Sequence, residues 1–89
     1  MARVYEVAGA IIWDCPGCGV AHKAAIGPEG WTWNGDVDAP TLRPSFVVEY
    51  QGAEKKVCHC YITDGKARFL PNSYHELAGQ TVDLPEWGS

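Results

Sequence analysis

Cys15-Pro16-Gly17-Cys18-Gly19 puts two thiols into one tight turn, because the glycines inside and after the pair tolerate the backbone that such a turn needs. Alone, a C-x-x-C pair is half of a zinc site, a redox dithiol or a disulfide. Here it is answered, after residues 19–57, by Cys58-His59-Cys60, which adds two cysteines and a histidine. The gap is longer than a standard zinc ribbon allows, and the second half is C-x-C rather than C-x-x-C. Zinc remains the expected use of these residues, with the turn acting as a metal knuckle.

Working outward from the knuckle, the chain reads as extended structure on both sides. Arg3 to Val7 alternates as an edge strand, and Ala8 to Asp14 forms a second strand running into Cys15. Val20 to Ile26 resumes the extended pattern, so the knuckle is expected to cap a hairpin. Gly27-Pro28-Glu29-Gly30 is a turn, Trp31-Thr32-Trp33 a short strand with both indoles on one face, and Asn34-Gly35 a hairpin-type turn. Pro40 and Pro44 exclude helix from Asp38 to Ser45, which predicts an ordered loop. Phe46 to Tyr50 is the strongest local strand signal, and Gln51 to Lys56 a polar turn. Val57 to Thr63 and Lys66 to Leu70 make a hairpin around Asp64-Gly65. Tyr74 to Ala78 suggests a single helical turn, capped at Asn72 or Ser73 and ended by Gly79. Gln80 to Leu84 is a last strand, with Pro85-Glu86-Trp87 a docked or frayed tail. The expected fold is mainly β: a small zinc-binding domain of antiparallel hairpins with one short helical turn.

The 89 residues are expected to form one domain, 1–89. A chain of this size buries roughly 60–65% of its unfolded surface, so its core alone supports marginal stability. Structural zinc is a usual remedy, contributing on the order of 10–16 kcal/mol of apparent binding free energy. The net charge of −4 argues against nucleic acid as a partner, since phosphate binding needs a basic face. Lys55-Lys56 is the only paired basic run and reads as a solvated loop. No apolar run reaches membrane-spanning length, and Met1-Ala2-Arg3 does not lead into a signal peptide's apolar segment. A cytoplasmic location is therefore expected, where clustered cysteines favour metal over disulfides.

Two metal sites are compatible with these residues. On a strand, Cys58 and Cys60 share one face while His59 points to the other. A closed site would use Cys15, Cys18, Cys58 and Cys60 and would be structural. An open site would combine Cys15 and Cys18 with His59 or His22, plus Cys58 or a water, and such a water could be activated to hydroxide. His75 is a candidate general acid/base or a residue tying down the turn before Gly79. Ser45, Asn34, Asp36 and Glu49 border the apolar strands. Neither an H-E-x-x-H helix, a serine-protease elbow nor a phosphate loop occurs. Trp31 and Trp33 read as core or cleft lining rather than as a base-stacking platform.

The knuckle with His22, then Trp33-Asn34-Gly35-Asp36, Pro40-Thr41-Leu42, Pro44-Ser45, Cys58-His59, Asp64-Gly65-Lys66, Phe69-Leu70 and Leu77-Ala78-Gly79-Gln80-Thr81-Val82, come in an order with a precedent. The run resembles a family of short bacteriophage and bacterial proteins known as a domain of unknown function. Relatives in that family sit in operons with ubiquitin-like proteins and E1- and E2-like enzymes. The resemblance implies a zinc-dependent peptidase, of a kind that phages also encode, that trims or removes a ubiquitin-like protein. It implies Cys15, Cys18, Cys58 and His59 as metal ligands, with His22 the substitute if the strand does not bulge. His59, His75 or Glu49 would move the proton, and Ser45 would help bind the oxyanion. In the family pattern position 60 is usually a small polar residue and position 73 often a cysteine, so Cys60 and Ser73 depart from it. The rival expectation is a non-enzymatic adaptor or inhibitor with structural zinc, binding a host protein through the Trp31/Trp33 face and the proline loop.

Overall fold

The computed structural model describes residues 2–52 and 56–87. Within them the chain is mainly β, and no helix forms. Strands β1 (Tyr5–Val7), β2 (Ala10–Asp14) and β3 (Ala21–Ala25) make one antiparallel sheet in that order. Strands β4 (Thr32–Trp33) and β5 (Leu42–Arg43) pair with each other. A second large sheet runs β6 (Phe46–Tyr50), β7 (Lys56–Thr63), β8 (Lys66–Phe69) and β9 (Thr81–Asp83), again antiparallel throughout. The polar turn expected over Gln51–Lys56 lies partly outside the described residues, as does Lys55 of the basic pair; Lys56 itself opens β7.

Turn chemistry explains most of these boundaries. Asp64 and Gly65 both have positive φ, at 50° and 76°, and close the β7–β8 hairpin as their sequence predicts. Ala8 and Gly9 do the same between β1 and β2, with φ of 48° and 79°, so the second strand starts at Ala10 and not at Ala8. The knuckle does cap a hairpin, since β2 and β3 pair from Asp14↔Ala21 to Ala10↔Ala25.

Asn34-Gly35 behaves differently from a hairpin turn. The Asn34 Oδ1 accepts from the backbone N–H of Asp36 and Thr41, and Asp36 Oδ1 accepts from those of Asp38 and Ala39. These side chains substitute for ladder bonds and shape the loop that carries the chain to β5. Part of the proline-rich segment thus becomes strand, with Arg43 paired to Thr32 and Leu42 to Trp33.

The expected helical turn at 74–78 is instead a run of tight turns, with Ala78 N bonded to His75 O and Gln80 N to Leu77 O. Ser73 does not cap it, because its hydroxyl is committed to β7. At the other end the tail is docked: Trp87 N donates to Ala2 O at 2.8 Å, and its ring stacks on Tyr5.

The core lies between the two large sheets. Alternation turns Ile11 and Trp13 of β2, His22 and Ala24 of β3, and Cys58, Cys60 and Ile62 of β7 inward. Trp13 packs edge-on against Phe46 at 4.8 Å between ring centroids, and Leu42, Phe69 and Leu84 complete the layer. The outer face of the second sheet carries His59, Tyr61 and Thr63 of β7 and is partly open. Among the described residues no helix is long and apolar enough to cross a membrane.

Gly65 does more than supply a turn. Its N–H donates to Pro40 O, its carbonyl accepts from Leu84 N, and a Cβ there would lie 3.2 Å from Asp38 O. Gly65→Ala should therefore cost on the order of 1–2 kcal/mol by urea unfolding. Gly9→Ala, at a similar φ but with nothing within 4 Å of the added carbon, should cost less. Equal losses would show that the loop contact contributes nothing.

Candidate functional site

The knuckle is built by its own backbone. Cys18 N points at Cys15 Sγ at 3.4 Å, Gly19 N bonds Cys15 O, and Cys15 N bonds Val20 O. Together these turn both thiols inward beneath β7. There Cys15, Cys18, His22 and Cys58 converge, with one ligand atom from each lying within 4.8 Å of all the others.

Strand β7 has no bulge at this point: Phe46↔Cys60, Val47↔His59 and Val48↔Cys58 pair in unbroken register. That regularity decides between the expected ligand sets. His59 is carried to the opposite face and is not a member of the cluster, and His22 takes the histidine position. Cys60 faces inward but lies two residues farther along β7, opposite Phe46 and Phe69, and packs as a core thiol. The group is thus three cysteines and one histidine, the combination of Cys15, Cys18 and Cys58 with His22 that was expected if the strand did not bulge.

Three observations show that these residues fit a metal ion. His22 Nε2 is buried and has no hydrogen-bond partner, an expensive state for an imidazole nitrogen that a cation would relieve. Cys15 and Cys58 stand 4.0 Å apart, sulfur to sulfur. The bond to Cys58, reinforced by burial, pushes the Cys15 thiol up to about 12. Cys58 is also raised: Cys15 pulls it down, but Cys60, burial and Cys18 outweigh that. Without a cation these sulfurs stay protonated in a dry site; with one, coordination deprotonates them. Four protein ligands of this type match the closed tetrahedral pattern of a structural zinc site.

His75 belongs to this inner side as well. Its Nε2 lies 3.5 Å from Cys58 Sγ, and its ring meets Phe69 edge-on at 4.4 Å. Burial lowers its pKa, which favours the neutral ring. Gly17 makes room for it, since a Cβ at position 17 would sit 2.3 Å from the imidazole. His75 is therefore an outer partner of the cluster, not a neighbour of the residues on the far face. Tyr50 and Tyr74 close the Cys18 side; burial first, then Cys18, raises the Tyr50 phenol, and Cys18 first raises that of Tyr74.

On the outer face a second constellation forms. His59 Nε2 and Ser45 Oγ are 2.9 Å apart. Ser45 sits just before β6, and its carbonyl accepts from the Trp31 indole N–H. His59 is fixed through its backbone: its N–H donates to Ser73 Oγ at 3.1 Å, and its carbonyl accepts from Ser73 Oγ and Leu70 N. Where β8 ends at Phe69, the Ser73 hydroxyl thus replaces the missing ladder partner. Glu49 is exposed near the end of β6, opposite Val57 and four residues from Ser45, on the same sheet face as His59. The Ser45–His59 contact was not readable as a nucleophile–base pair, because the two residues lie 14 positions apart and match no local motif. The available signal was alternation, which already separated His59 from its neighbouring cysteines.

A chelator competition measures the inner cluster directly. Cys15→Ser, Cys18→Ser, Cys58→Ser and His22→Ala should each lose bound zinc, while Cys60→Ser should retain about one ion per chain. His75→Ala should weaken binding about 10- to 100-fold without abolishing it, as outer partners of a metal do. Equal loss at Cys60 would restore the four-sulfur alternative.

Comparison with known proteins identifies a family. A family model described as a bacterial ubiquitination-like system serine protease (BubE) matches residues 1–70. No curated protein and no solved structure matches the chain. The matched span takes in the knuckle, His22, Ser45, Cys58 and His59, and it covers well over half of the sequence: the chain belongs to the BubE family of bacterial ubiquitination-like system serine proteases.

Proposed function

We propose that this protein is a serine peptidase acting on a ubiquitin-like protein or its conjugates, with Ser45 as nucleophile and His59 as general base. The observation that carries this reading is the 2.9 Å contact between His59 Nε2 and Ser45 Oγ on an accessible sheet face. As Ser45 Oγ attacks the scissile carbonyl, its proton passes to His59 Nε2. The same nitrogen gives that proton to the leaving amine as the C–N bond breaks, leaving an ester on Ser45. A water then attacks the ester, its proton moving to Nε2 and from there back to Oγ, which releases the acid. Within this Ser45–His59 dyad the imidazole is oriented by the backbone clamp of Ser73.

Zinc is assigned to Cys15, Cys18, His22 and Cys58, where it would tie the β2–β3 hairpin to β7. A closed set of four protein ligands leaves no position for an activated water, so hydrolysis is assigned to the serine and not to the metal. The adaptor reading is less well supported, because Trp31 and Trp33 are half-buried against the core and offer little free surface.

Ser45→Ala and His59→Ala should each lower cleavage of a ubiquitin-like fusion about a thousandfold or more. Zinc content and melting temperature should stay close to wild type, since neither side chain is in the cluster. Diisopropyl fluorophosphate should modify Ser45 in the wild type and fail to do so in His59→Ala. Full activity in Ser45→Ala would refute the assignment, and a wild type inert towards both reagent and fusion would favour the adaptor.

A further inference from the structure

The backbone bonds of His59 reveal which edge of the sheet is open. Its N–H and C=O are both turned towards Ser73 and Leu70, on the β8 side. The antiparallel pair Val47↔His59 is therefore a non-hydrogen-bonded pair, and the ladder bonds of β6 fall to Phe46, Val48 and Tyr50. By the same alternation the N–H and C=O of Val47 point away from β7. Strand β6 is the terminal strand of its sheet, and Val47 makes no hydrogen bond outside the ladder among the described residues. Its side chain is 47% exposed.

Two residues earlier, Ser45 presents its carbonyl to the Trp31 indole. Upstream of that point β4 already fills the outer flank, pairing Thr32 with Arg43. The cover ends at Trp31. From there on, the row flanking Val47 has no pairing partner among the described residues, and it begins beside the Ser45 hydroxyl.

We infer that an extended segment of the substrate occupies this row as an added antiparallel strand on β6, hydrogen-bonded through its main chain to Val47. This inference rests on the serine-peptidase reading and names how that site takes its substrate. Antiparallel pairing matches every other strand pair of this sheet. It also fixes polarity. A strand running antiparallel to β6 that brings its scissile carbonyl to Ser45 passes Val47 with residues on its N-terminal side. With two residues per repeat, Val47 pairs with the third residue before the scissile bond. The leaving side meets Trp31 and β4 and must turn away. The enzyme then reads the acyl side of an unfolded tail, mostly through backbone, and a folded segment cannot enter. A C-terminal tail of a ubiquitin-like protein, joined to another protein or peptide, has this form.

Amide hydrogen exchange on the zinc-loaded full chain tests the inference. Two adducts of Ser45 are compared: one with diisopropyl fluorophosphate, which has no peptide, and one with an N-acetyl-tetrapeptidyl diphenyl phosphonate, which fills the acyl side alone. Exchange at the Val47 amide should slow at least tenfold in the peptidyl adduct only. The Val48 amide, already in the ladder, should not change. Equal Val47 exchange in both adducts overturns the inference while leaving the dyad intact, and so does labelling by the small reagent with none by peptidyl phosphonates. A concentration-dependent dimer whose Val47 amide is protected before any labelling also overturns it, and assigns the edge to a second copy. Failure of the small reagent to label Ser45 overturns the peptidase reading itself.

Discussion

Strand β7 holds a cysteine and a histidine at consecutive positions, and backbone alternation sends them to opposite faces of one sheet. Cys58 faces the interior, where it joins Cys15, Cys18 and His22. His59 faces outward, where it meets Ser45. A single unbulged strand thus separates the cysteine–histidine cluster from the Ser45–His59 pair while sharing its backbone between them. Shifting the register by one residue would exchange the two faces and destroy both.

The inner cluster matters to so small a chain because its members come from distant parts of the sequence. Cys15, Cys18 and His22 belong to the first hairpin and Cys58 to the second large sheet. A bound ion would fasten these units across the core, much as the Trp13–Phe46 contact does by packing. The contact with Cys58 and burial raise the Cys15 thiol, the lowering of Cys58 by Cys15 is outweighed by Cys60 and burial, and His22 Nε2 is buried without a partner. The site is therefore costly when empty, and that cost is what makes the residues read as ligands rather than as ordinary core.

The outer pair depends on that same scaffold without touching it. Ser45 is held by the Trp31 indole, and Trp31 itself packs on Phe46 at 5.3 Å between ring centroids. His59 is held by Ser73, in the segment between the end of β8 and His75. His75 in turn reaches back to Cys58 Sγ. The segment from Ser73 to His75 therefore grips neighbouring residues of β7 from both sides. This arrangement lets a hydrophobic core and the cysteine–histidine cluster set the position of two side chains that lie on the surface.

By itself the sequence determined what depends on neighbours along the chain. The Asp64-Gly65 hairpin, the strand from Phe46 to Tyr50, the knuckle-capped hairpin and the absence of a long helix follow from turn residues and period-two patterning, which act over a few positions. It also made cysteine and histidine clustering visible, and with it a metal site. Choosing His22 over Cys60 and His59 required knowing that β7 runs without a bulge, which depends on its pairing with β6 and β8. Ser73 was legible only as a cap for a helical turn, because the β7 backbone groups it satisfies are 14 residues away in sequence. Ser45 and His59, equally far apart, share no motif that spacing could reveal. Their meeting is a diagonal contact between the residue leading into β6 and one on β7, and only the folded register of the sheet decides which side chains a diagonal brings together.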